Sequence, residues 1–581
     1  MNSARPLLLA ASLLLSCGKG QRVPVPAQDC SQPTAWTQWG GSAAHNGLVC
    51  ARGQDLTRAT VDIVYDPFVA DEKLETGGDL LAHYQAPLLS GNSVYLEVKT
   101  GNYTACSPAG SGTPAPCGSE SWNQETWSER GYTWTPGGQL EQTFRFDSDW
   151  KPVPDQGHLG EWEPVFHAAL AGPALWIPGA HGSALYVDAA SGALLLRVDP
   201  FLGDANTYVI SPFSTDAAGN VVYTTLTVDP HNVWGSDAHG SLVKAAPSGN
   251  FQTVSFDHLL DLSGAPAPGA ACEVGYAYDR KNPPALPLLN DDGTIAPART
   301  ILCGSQRPGV NLAPAIDADG GIFLATRAHH GARNSFLVGL NPDLTLRFAT
   351  SLRNQFHDGC GVLIPTDGQP LHCRPNVPLG IDPFTGTQPS GIVEDDSTAS
   401  PVVLPDHTIL YGTYTGYNGQ RGHLVKVNGA GQLLASYDFG WDTTPAFFAH
   451  DGTFSIVLKD NHYDTTGPYY ITQLDANLVP EWKWRSDNTR SCVRGSGSVS
   501  CTDDHPGGFE WCVNEVAIDK DGTVYANSED GFLYAIEQGG HEKQRLFLSS
   551  ALGAAYTPLS IDPAGRIYTQ KNGHLFIVGA P

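Results

Sequence analysis

The chain has 581 residues, a formal net charge of −26 and a charged fraction of only 16%. This acidity argues against nucleic-acid binding, which needs clustered Lys and Arg to neutralise phosphates. The 64 glycines and 43 prolines are typical of short strands joined by tight turns. Since no long segment repeats apolar residues at helical spacing, the sequence predicts an all-β fold.

The first 35 residues carry export signals. Arg5 precedes an apolar run over 6–15 that is too short to span a bilayer, so residues 1–16 are predicted to be a signal peptide. Residues 14–17, Leu-Leu-Ser-Cys, resemble the lipobox of bacterial lipoproteins, and this resemblance implies that Cys17 is the first mature residue and carries a lipid. An ordinary signal peptide cleaved nearby is the alternative. Residues 17–35, with Gly, Gln, Pro and Val, are expected to form a flexible tether.

The residue after Cys17 bears on the location. Gly18 stands in place of the aspartate that retains enteric lipoproteins in the inner membrane. The lipobox resemblance therefore implies an outer-membrane lipoprotein of a diderm bacterium, held in the cell envelope by its lipid anchor. Whether it faces the periplasm or the outside stays open.

One pattern recurs about eight times after residue 84: a proline, a short apolar strand, an Asp/Gly turn and a second apolar strand. Such units bury their faces only against their neighbours, so the repeat predicts a ring or a stack of sheets. Proline is tolerated at the first residue of a strand and on an edge, as in the innermost strand of a propeller blade. The predicted starts of the first strands are Ala86-Pro87, Glu163-Pro164, Ser211-Pro212, Ala313-Pro314, Ser400-Pro401, Thr444-Pro445, Asn514-Glu515 and Thr557-Pro558.

These copies predict a single β-propeller of about eight four-stranded antiparallel blades. The count is seven if the units starting near 514 and 556 share one blade. The last copy ends after about three strands, so a strand near 61–65 is expected to complete its sheet and close the ring. Departures from the repeat near 101–139, 264–308 and 485–511 are interpreted as loop insertions that hold most of the cysteine pairs.

Cysteine usage agrees with export. Of the 12 cysteines, those other than Cys17 fall mostly in sequence-close pairs, as expected for disulfides in an oxidising compartment. The absence of any Cys-x-x-Cys pair argues against zinc. One thiol of the last three cysteines is expected to be free or buried, because that set has one thiol too many, and which two of them pair stays open. The candidates are Cys30 with Cys50, Cys106 with Cys117, Cys272 with Cys303, Cys360 with Cys373, and the set Cys492, Cys501 and Cys512.

Two segments carry a family resemblance. The stretch from Asp519 to Ile536, with its Asp-x-x-Gly turn and Phe-Leu-Tyr-Ala-Ile strand, resembles the pyrroloquinoline-quinone-like (PQQ-like) β-propeller repeat superfamily. The opening segment 36–47, Trp-Thr-Gln-Trp-Gly-Gly-Ser-Ala-Ala-His-Asn-Gly, is also similar to the start of such proteins. The resemblance implies one propeller domain over 36–581, monomeric in form.

The superfamily contains quinone-dependent dehydrogenases and propellers that bind no cofactor, among them an outer-membrane lipoprotein that scaffolds β-barrel assembly. The dehydrogenases use two adjacent cysteines and a calcium ion near the quinone. This sequence has no adjacent cysteines. The resemblance therefore implies a propeller without cofactor.

Several polar groups could bind a metal ion or act on a substrate. His329, His330 and His357 could ligate a metal, but loop histidines bonded to backbone are the favoured interpretation. Calcium is considered at two acidic runs that offer carboxylate oxygens, although neither has the spacing of a calcium loop and solvated turns are favoured. The runs are Glu394-Asp395-Asp396 and Asp503-Asp504-His505. A carboxylate pair near the channel, such as Glu161 and Glu163, could serve glycoside hydrolysis.

Aromatic residues crowd the predicted insertion over 101–139. Trp122, Trp127 and Trp134 are candidate ligand contacts, because aromatic side chains on loops suit recognition and stacking on sugar rings. Packing of a loop lid against the propeller is the alternative. The sequence predicts a lipid-anchored, extracytoplasmic propeller that binds or scaffolds an unknown envelope protein or glycan. The alternative is a channel-mouth enzyme, either a quinone-dependent oxidoreductase or a carbohydrate-active one.

Overall fold

A computed structural model describes residues 30, 34–75, 83–103, 124–154, 165–261, 263–273, 300–357, 380–381, 387–415, 421–439, 442–461, 468–495 and 498–581. No helix in these ranges is both long and apolar enough to cross a membrane. Several predictions fall outside the described residues. They are the signal peptide 1–16, Cys17, the tether apart from residues 30, 34 and 35, the pairs Cys106 with Cys117 and Cys360 with Cys373, Trp122, Glu161 and Glu163.

The chain folds into an eight-bladed β-propeller of antiparallel sheets. Blades are numbered along the chain, and the first strand of blades 3 and 4 is split into two short pieces that pair with the same neighbour. The strands of blades 1 to 4 are Leu88–Ser90, Ser93–Gly101, Glu125–Trp134 and Leu140–Asp147; Ala169–Ala171, Ala174–Pro178, Ala184–Asp188 and Leu194–Val198; Thr207–Val209 with Ser214–Thr215, Val221–Thr227, His239–Ala245 and Phe251–Ser255; and Gln306–Pro308 with Ala315–Ile316, Ile322–Ala328, Ser335–Leu340 and Leu346–Ser351.

The strands of blades 5 to 8 are Val402–Val403, Ile409–Thr415, Arg421–Val427 and Leu433–Phe439; Ala446–His450, Thr453–Asp460, Tyr470–Asp475 and Pro480–Arg485; Ala517–Ile518, Val524–Asn527, Phe532–Glu537 and His541–Phe547; and Ser560–Ile561, Ile567–Lys571, His574–Val578 and Ala59–Val64. Outside the blades, the described residues form two hairpins, two short helices and a 3-10 turn. These are Ala271–Glu273 with Thr300–Leu302, Arg490–Arg494 with Val499–Asp503, Val69–Glu75, Phe256–Leu260 and Ala180–Gly182.

An N-terminal strand closes the ring. Ala59–Val64 pairs antiparallel with His574–Val578, the third strand of blade 8. This confirms the prediction that a strand from the N-terminal region completes the last sheet. Closure ties the two ends of the chain together, which removes the open edge that an incomplete blade would leave.

The blade count confirms eight rather than seven, because the units starting near 514 and 556 form separate sheets. Two predicted boundaries are wrong. The insertion expected over 101–139 is too long, since Glu125–Trp134 is the third strand of blade 1. Its buried Glu125 and Glu129 hide the apolar alternation by which a strand is recognised. In blade 2 the first strand is Ala169–Ala171, beyond the start expected at Glu163-Pro164.

Strand direction gives the ring two unlike faces. In each blade the chain enters the first strand at one face, here called the upper face, and turns at the opposite, lower face into the second strand, which runs back. The predicted Asp/Gly turns make these lower-face reversals. In blade 7, Asp519 Oδ1 accepts the backbone N–H of Asp521 at 3.0 Å and of Thr523 at 2.9 Å, and Gly522 supplies a φ of +82°.

Residues 36–54 run around the inside of the ring, and we call this segment the inner belt. It makes hydrogen bonds to all eight blades in chain order. The blade residues that it contacts, from blade 1 to blade 8, are Leu89, Leu170, Thr215, Ile316, Val403, Phe447, Ile518 and Gly565. Several of these residues end a first strand, so the belt lies toward the lower face.

The apolar core lies between the sheets. Separate clusters of buried side chains join blades 6 to 8 with blade 1, blades 1 to 3, blades 3 to 5, and blades 5 and 6. The belt residues Trp36 and Leu48 belong to the first of these clusters. Since a single blade cannot bury both of its faces, this packing between neighbours supplies most of the hydrophobic stabilisation.

Three disulfides lie within the described residues. Two of them, Cys30 with Cys50 and Cys272 with Cys303, confirm predicted pairs. In the last set, where the sequence left the pairing open, Cys492 bonds Cys501, and Cys512 is the free, buried thiol. The second pair joins the small hairpin before blade 4, and the third lies across the hairpin between blades 6 and 7.

Candidate functional site at the upper end of the channel

Strand direction gathers polar residues at the upper end of the channel. Every connection into a first strand, and the carboxyl end of every second strand, reaches the upper face. Residues far apart in sequence therefore meet there. Six of them, contributed by blade 6 and by the connections entering blades 1, 6, 7 and 8, form a group that we call the channel cluster: His83, Asp442, Lys459, Cys512, Asn514 and Tyr556.

Asp442 connects several members of the cluster. Its Oδ1 accepts the backbone N–H of Thr398 at 2.8 Å and Asn514 Nδ2 at 3.2 Å. Its Oδ2 lies 3.6 Å from His83 Nε2, which is an electrostatic contact rather than a hydrogen bond. Although burial opposes ionisation, His83 and the charge of Lys459 hold the pKa of Asp442 at about 2. Its backbone φ of +52° lies in the left-handed region, which Asp tolerates better than most residues.

Lys459 lies near the end of the second strand of blade 6 and is 1% exposed. Its Nζ stands 4.6 Å from the centre of the Tyr556 ring, and the described residues offer it no hydrogen-bond partner. Burial lowers the pKa of Lys459, and the nearby charge of Asp442 acts in the opposite direction. A buried ammonium is costly without a partner, so the neutral amine gains population here.

Cys512 contributes a thiol to the cluster. It is fully buried, and its Sγ donates to Glu529 Oε1 at 2.7 Å. Burial, reinforced by the Glu529 carboxylate, raises the pKa of the Cys512 thiol well above its usual value. A protonated thiol is a poor nucleophile, so Cys512 acts in this cluster as a hydrogen-bond donor.

A second polar group lies between blades 1 and 2. Glu97 and Glu129 are directly opposite on neighbouring strands, and both are buried. Gln85 donates to both acids, from its backbone N–H to Glu97 and from its side-chain Nε2 to Glu129, each at 2.9 Å. Burial raises the pKa of Glu129 to about 8 and that of Glu97 well above its usual range. The pair therefore holds protons at neutral pH that exposed carboxyl groups would have released.

The inner belt covers a buried carboxyl group. Glu515 is 0% exposed, neither oxygen has a hydrogen-bond partner among the described residues, and burial raises its pKa well above the usual value. Gly40 and Gly47 pass directly over it, and a Cβ on either would stand 2.5 to 2.7 Å from a Glu515 oxygen. Beside them, His45 Nδ1 donates to the Pro401 carbonyl at 2.7 Å, and burial lowers the pKa of His45 to about 4.

Two of the three tryptophans proposed as ligand contacts are core residues. Trp127 and Trp134 belong to the third strand of blade 1 and are 0% and 5% exposed, so the prediction that they lie on an exposed loop is wrong. Trp127 packs against Trp150, and Trp134 Nε1 donates to the Tyr568 hydroxyl at 2.8 Å. Trp122 lies outside the described residues.

The suggested calcium runs have other roles. Asp395 accepts a two-pronged ion pair from Arg307, with both distances at 2.7 Å, and a further contact from Arg327. In the second run, Asp504 accepts the Ser491 hydroxyl at 2.6 Å. Within the described ranges no group of three or more His, Cys, Asp or Glu residues is placed to hold a metal ion.

Of the histidines suggested as metal ligands, His329 has another role. His329 Nδ1 accepts Arg307 Nε at 2.8 Å, and its ring stacks on Trp234, so it is part of the ion-pair network. Arg307 in turn holds Asp395. His357 lies at the edge of a described range, and Cys360 lies beyond it.

Sequence reasoning did not find the channel cluster. His83, Asp442 and Lys459 stand in no recognisable motif, and hundreds of residues separate the first from the other two. One signal was present, because each lies beside a predicted first strand or at the end of a second strand. In a propeller those positions converge on one face.

No family model matches the chain, and no curated protein matches it. Three solved structures are similar to it. They are BamB from Moraxella catarrhalis (9% identity, 90% of this chain and 98% of that one, TM-score 0.40), quinohemoprotein alcohol dehydrogenase from Comamonas testosteroni (11%, 94% and 81%, 0.45) and Sqt1 from Saccharomyces cerevisiae (10%, 87% and 96%, 0.41). At these TM-scores the similarities assign neither a ligand nor an activity to this chain.

Proposed function

We propose that the protein is a lipid-anchored, extracytoplasmic propeller that binds an envelope glycan at the upper end of its channel. The observation that carries the proposal is the set of unpartnered polar atoms in the channel cluster. Lys459 Nζ, both ring nitrogens of His83, and Asp442 Oδ2 have no hydrogen-bond partner among the described residues, although all three residues are buried. Buried polar atoms are nearly always hydrogen-bonded in folded proteins, so this end of the channel suits a polar guest.

The chemistry of these atoms favours hydroxyl groups. Lys459 can only donate when charged, Asp442 can only accept when ionised, and a neutral His83 ring does both. A hydroxyl group also donates and accepts, so neighbouring hydroxyls of one sugar can satisfy a donor and an acceptor that lie side by side. An anionic ligand fits less well, because the pKa of Asp442 is about 2 and its carboxylate is therefore negatively charged at neutral pH.

Three disulfides among the described residues support an oxidising location outside the cytoplasm. The anchor rests on the lipobox resemblance at Cys17. Its test is incorporation of a clickable fatty acid by cells that make the wild-type protein or the Cys17→Ser variant. Label on the wild type alone supports the anchor, and an unlabelled wild type refutes it.

Glycan binding is tested with purified protein on an array of envelope-derived oligosaccharides, followed by calorimetry on the best ligand. Asp442→Asn removes the charge and one acceptor, and we expect the affinity to fall about tenfold or more, since an unmet buried hydrogen bond costs about 1–3 kcal/mol. Asp451→Asn is the matched control, because Asp451 is 97% exposed at the lower-face turn of the same blade. Equal affinities for the two variants, or no glycan bound by the wild type, would refute the proposal.

A further inference from the structure

We propose that Lys459 is also a nucleophile, whose Nζ forms an imine with the carbonyl carbon of a small aldehyde or ketone in the channel cluster. This activity goes beyond glycan binding and does not depend on the lipid anchor. It assigns to the upper end of the channel a chemical step in addition to recognition.

The surroundings of Lys459 differ from those of the other buried lysines. Lys99 Nζ lies 2.6 Å from Glu72 and 3.3 Å from Asp66, so its charge is balanced by carboxylates in contact. Lys571 Nζ donates to the Ser528 carbonyl at 3.3 Å. Lys459 Nζ has no hydrogen-bond partner among the described residues and lies over the face of the Tyr556 ring, 4.6 Å from its centre. A structural ion pair accounts for Lys99 but not for Lys459.

Burial leaves the amine of Lys459 reactive despite the acidic groups around it. The carboxylates of Asp442, Glu510 and Glu529 favour its protonated form, yet burial outweighs them and lowers the pKa of Lys459. Lysines desolvated in this way supply the neutral amine that attacks carbonyl carbon. The thiol of Cys512 does not compete, because its own pKa is raised far above the usual value.

His83 is placed to move the protons that imine formation requires. Its ring packs edge-on against Tyr556, with the ring centres 5.8 Å apart, and Lys459 Nζ contacts that same tyrosine ring. Both His83 nitrogens are free of hydrogen bonds within the described residues, and Asp442 Oδ2 lies 3.6 Å from Nε2. Tyr556 is 8% exposed, compared with 0% for His83 and 1% for Asp442, so the guest is expected to enter along Tyr556.

The step balances without an oxidant or a reductant. The neutral Lys459 amine attacks the carbonyl carbon, a C–N bond forms, and the oxygen takes a proton from His83 to give a carbinolamine. His83 recovers a proton from the still-protonated nitrogen and returns it to the hydroxyl group, the C–O bond breaks, and water leaves. The resulting iminium passes its remaining N–H proton back to His83, and the product is the imine. The reverse sequence, with water as the nucleophile, frees the lysine.

Reductive trapping tests the proposal. The full-length mature protein is incubated with glyceraldehyde and cyanoborohydride, and peptide mass spectrometry measures the modified fraction of each lysine. We expect Lys459 to be modified at least tenfold faster than the exposed Lys520 at neutral pH. His83→Gln should slow trapping at Lys459 by about 10²-fold or more while Lys520 is unaffected, as expected for loss of a proton-transfer group.

Two further variants separate this proposal from the glycan site. Lys459→Arg keeps the charge but cannot form an imine, so it should lose trapping at this position, and glycan affinity reports independently on binding. Lys459→Met is the second variant if the arginine does not fold, as judged by circular dichroism. Trapping confined to exposed lysines in the folded wild-type protein would overturn the nucleophile, whatever the glycan measurements show.

Discussion

Glu97 and Glu129 face each other across two paired strands of blade 1, and each has one carboxyl oxygen without a hydrogen-bond partner among the described residues. Gln85 donates to the other oxygen of each acid, from its backbone N–H to Glu97 and from its side-chain amide to Glu129. One residue therefore positions both acids. The same Gln85 Oε1 accepts the backbone N–H of Ala168, which links the acid pair to the connection entering blade 2. Protons on these acids are therefore tied to the packing of two blades.

Stability should fall with rising pH because of this pair. The pKa of Glu129 is about 8 in the folded protein and about 4.5 when unfolded, so between these values the unfolded chain releases a proton that the folded chain keeps. The free energy of unfolding then drops by about 1.4 kcal/mol per pH unit for this group. Glu129→Gln removes this pH dependence. The free energy of unfolding of the variant, measured by guanidinium denaturation, should therefore rise relative to that of the wild type from pH 5 to pH 8.

The control for this prediction is Glu141→Gln, which alters an exposed carboxyl group on the fourth strand of the same blade. It should leave the pH dependence of the wild type unchanged. Parallel stability profiles for Glu129→Gln and the wild type would show that Glu129 does not keep its proton in the folded state.

The inner belt should tolerate no side chain at Gly47. A Cβ there would stand 2.7 Å from Glu515 and 2.5 Å from the Ala446 side chain, and its φ is +59°. Left-handed backbone costs about 1–2 kcal/mol for alanine, and overpacking adds about 1–3 kcal/mol. We expect Gly47→Ala to lower the free energy of unfolding by about 2–5 kcal/mol in chemical denaturation.

Gly91→Ala isolates the contribution of the contact. Gly91 has nearly the same φ, +58°, but a Cβ there meets nothing within 4 Å. Gly91→Ala should therefore lower the free energy of unfolding only by the cost of the left-handed backbone, about 1–2 kcal/mol. Equal losses for the two variants would mean that the belt does not press on Glu515.

In the closing strand of blade 8, we expect a charged substitution to destabilise the protein strongly on one side of the strand only. Ile63 is partly buried against the cluster that joins blades 6 to 8 with blade 1, whereas its neighbour Val64 is 51% exposed. Ile63→Asp places a charge in apolar surroundings and should cost about 2–4 kcal/mol of unfolding free energy. Val64→Asp, on the opposite side of the same strand, should cost about 0.5 kcal/mol.

These two variants are compared by thermal and chemical unfolding followed by tryptophan fluorescence. If Ile63→Asp is as stable as Val64→Asp, the strand does not hold the ring closed in solution.

Cys512 should resist thiol reagents until the protein unfolds. It is fully buried, and its raised pKa keeps it protonated, whereas the reagent needs an accessible thiolate. An aromatic disulfide reagent should count the same number of thiols in the native wild type and in native Cys512→Ala. In guanidinium the wild type should show one more. One extra reactive thiol in the native wild type would place Cys512 at an accessible site.

The sequence was sufficient for the architecture because the relevant signals are local. The Asp519 to Gly522 turn forms from hydrogen bonds within five residues, and the flanking strands alternate with a period of two. The disulfide between Cys272 and Cys303 was also predictable, since the two cysteines form a pair close in sequence, whereas three neighbouring cysteines left the bond between Cys492 and Cys501 undecided. Where charged residues occupy buried strand positions, as at Glu125 and Glu129, the local pattern is misleading, and that strand was missed.

The sequence by itself determined the repeated blade, its turns and the closing strand, because each depends on residues close together or on one repeated spacing, and it left the choice between seven and eight blades to the structure. Only the tertiary structure decided that residues 36–54 circle the channel and that His83, Asp442 and Lys459 meet at its upper end. Closing the ring brings all eight first strands to one axis, so side chains hundreds of residues apart become neighbours. The burial of Lys459 and the groups that surround Asp442, and not the order of these residues in the chain, shift their pKa values.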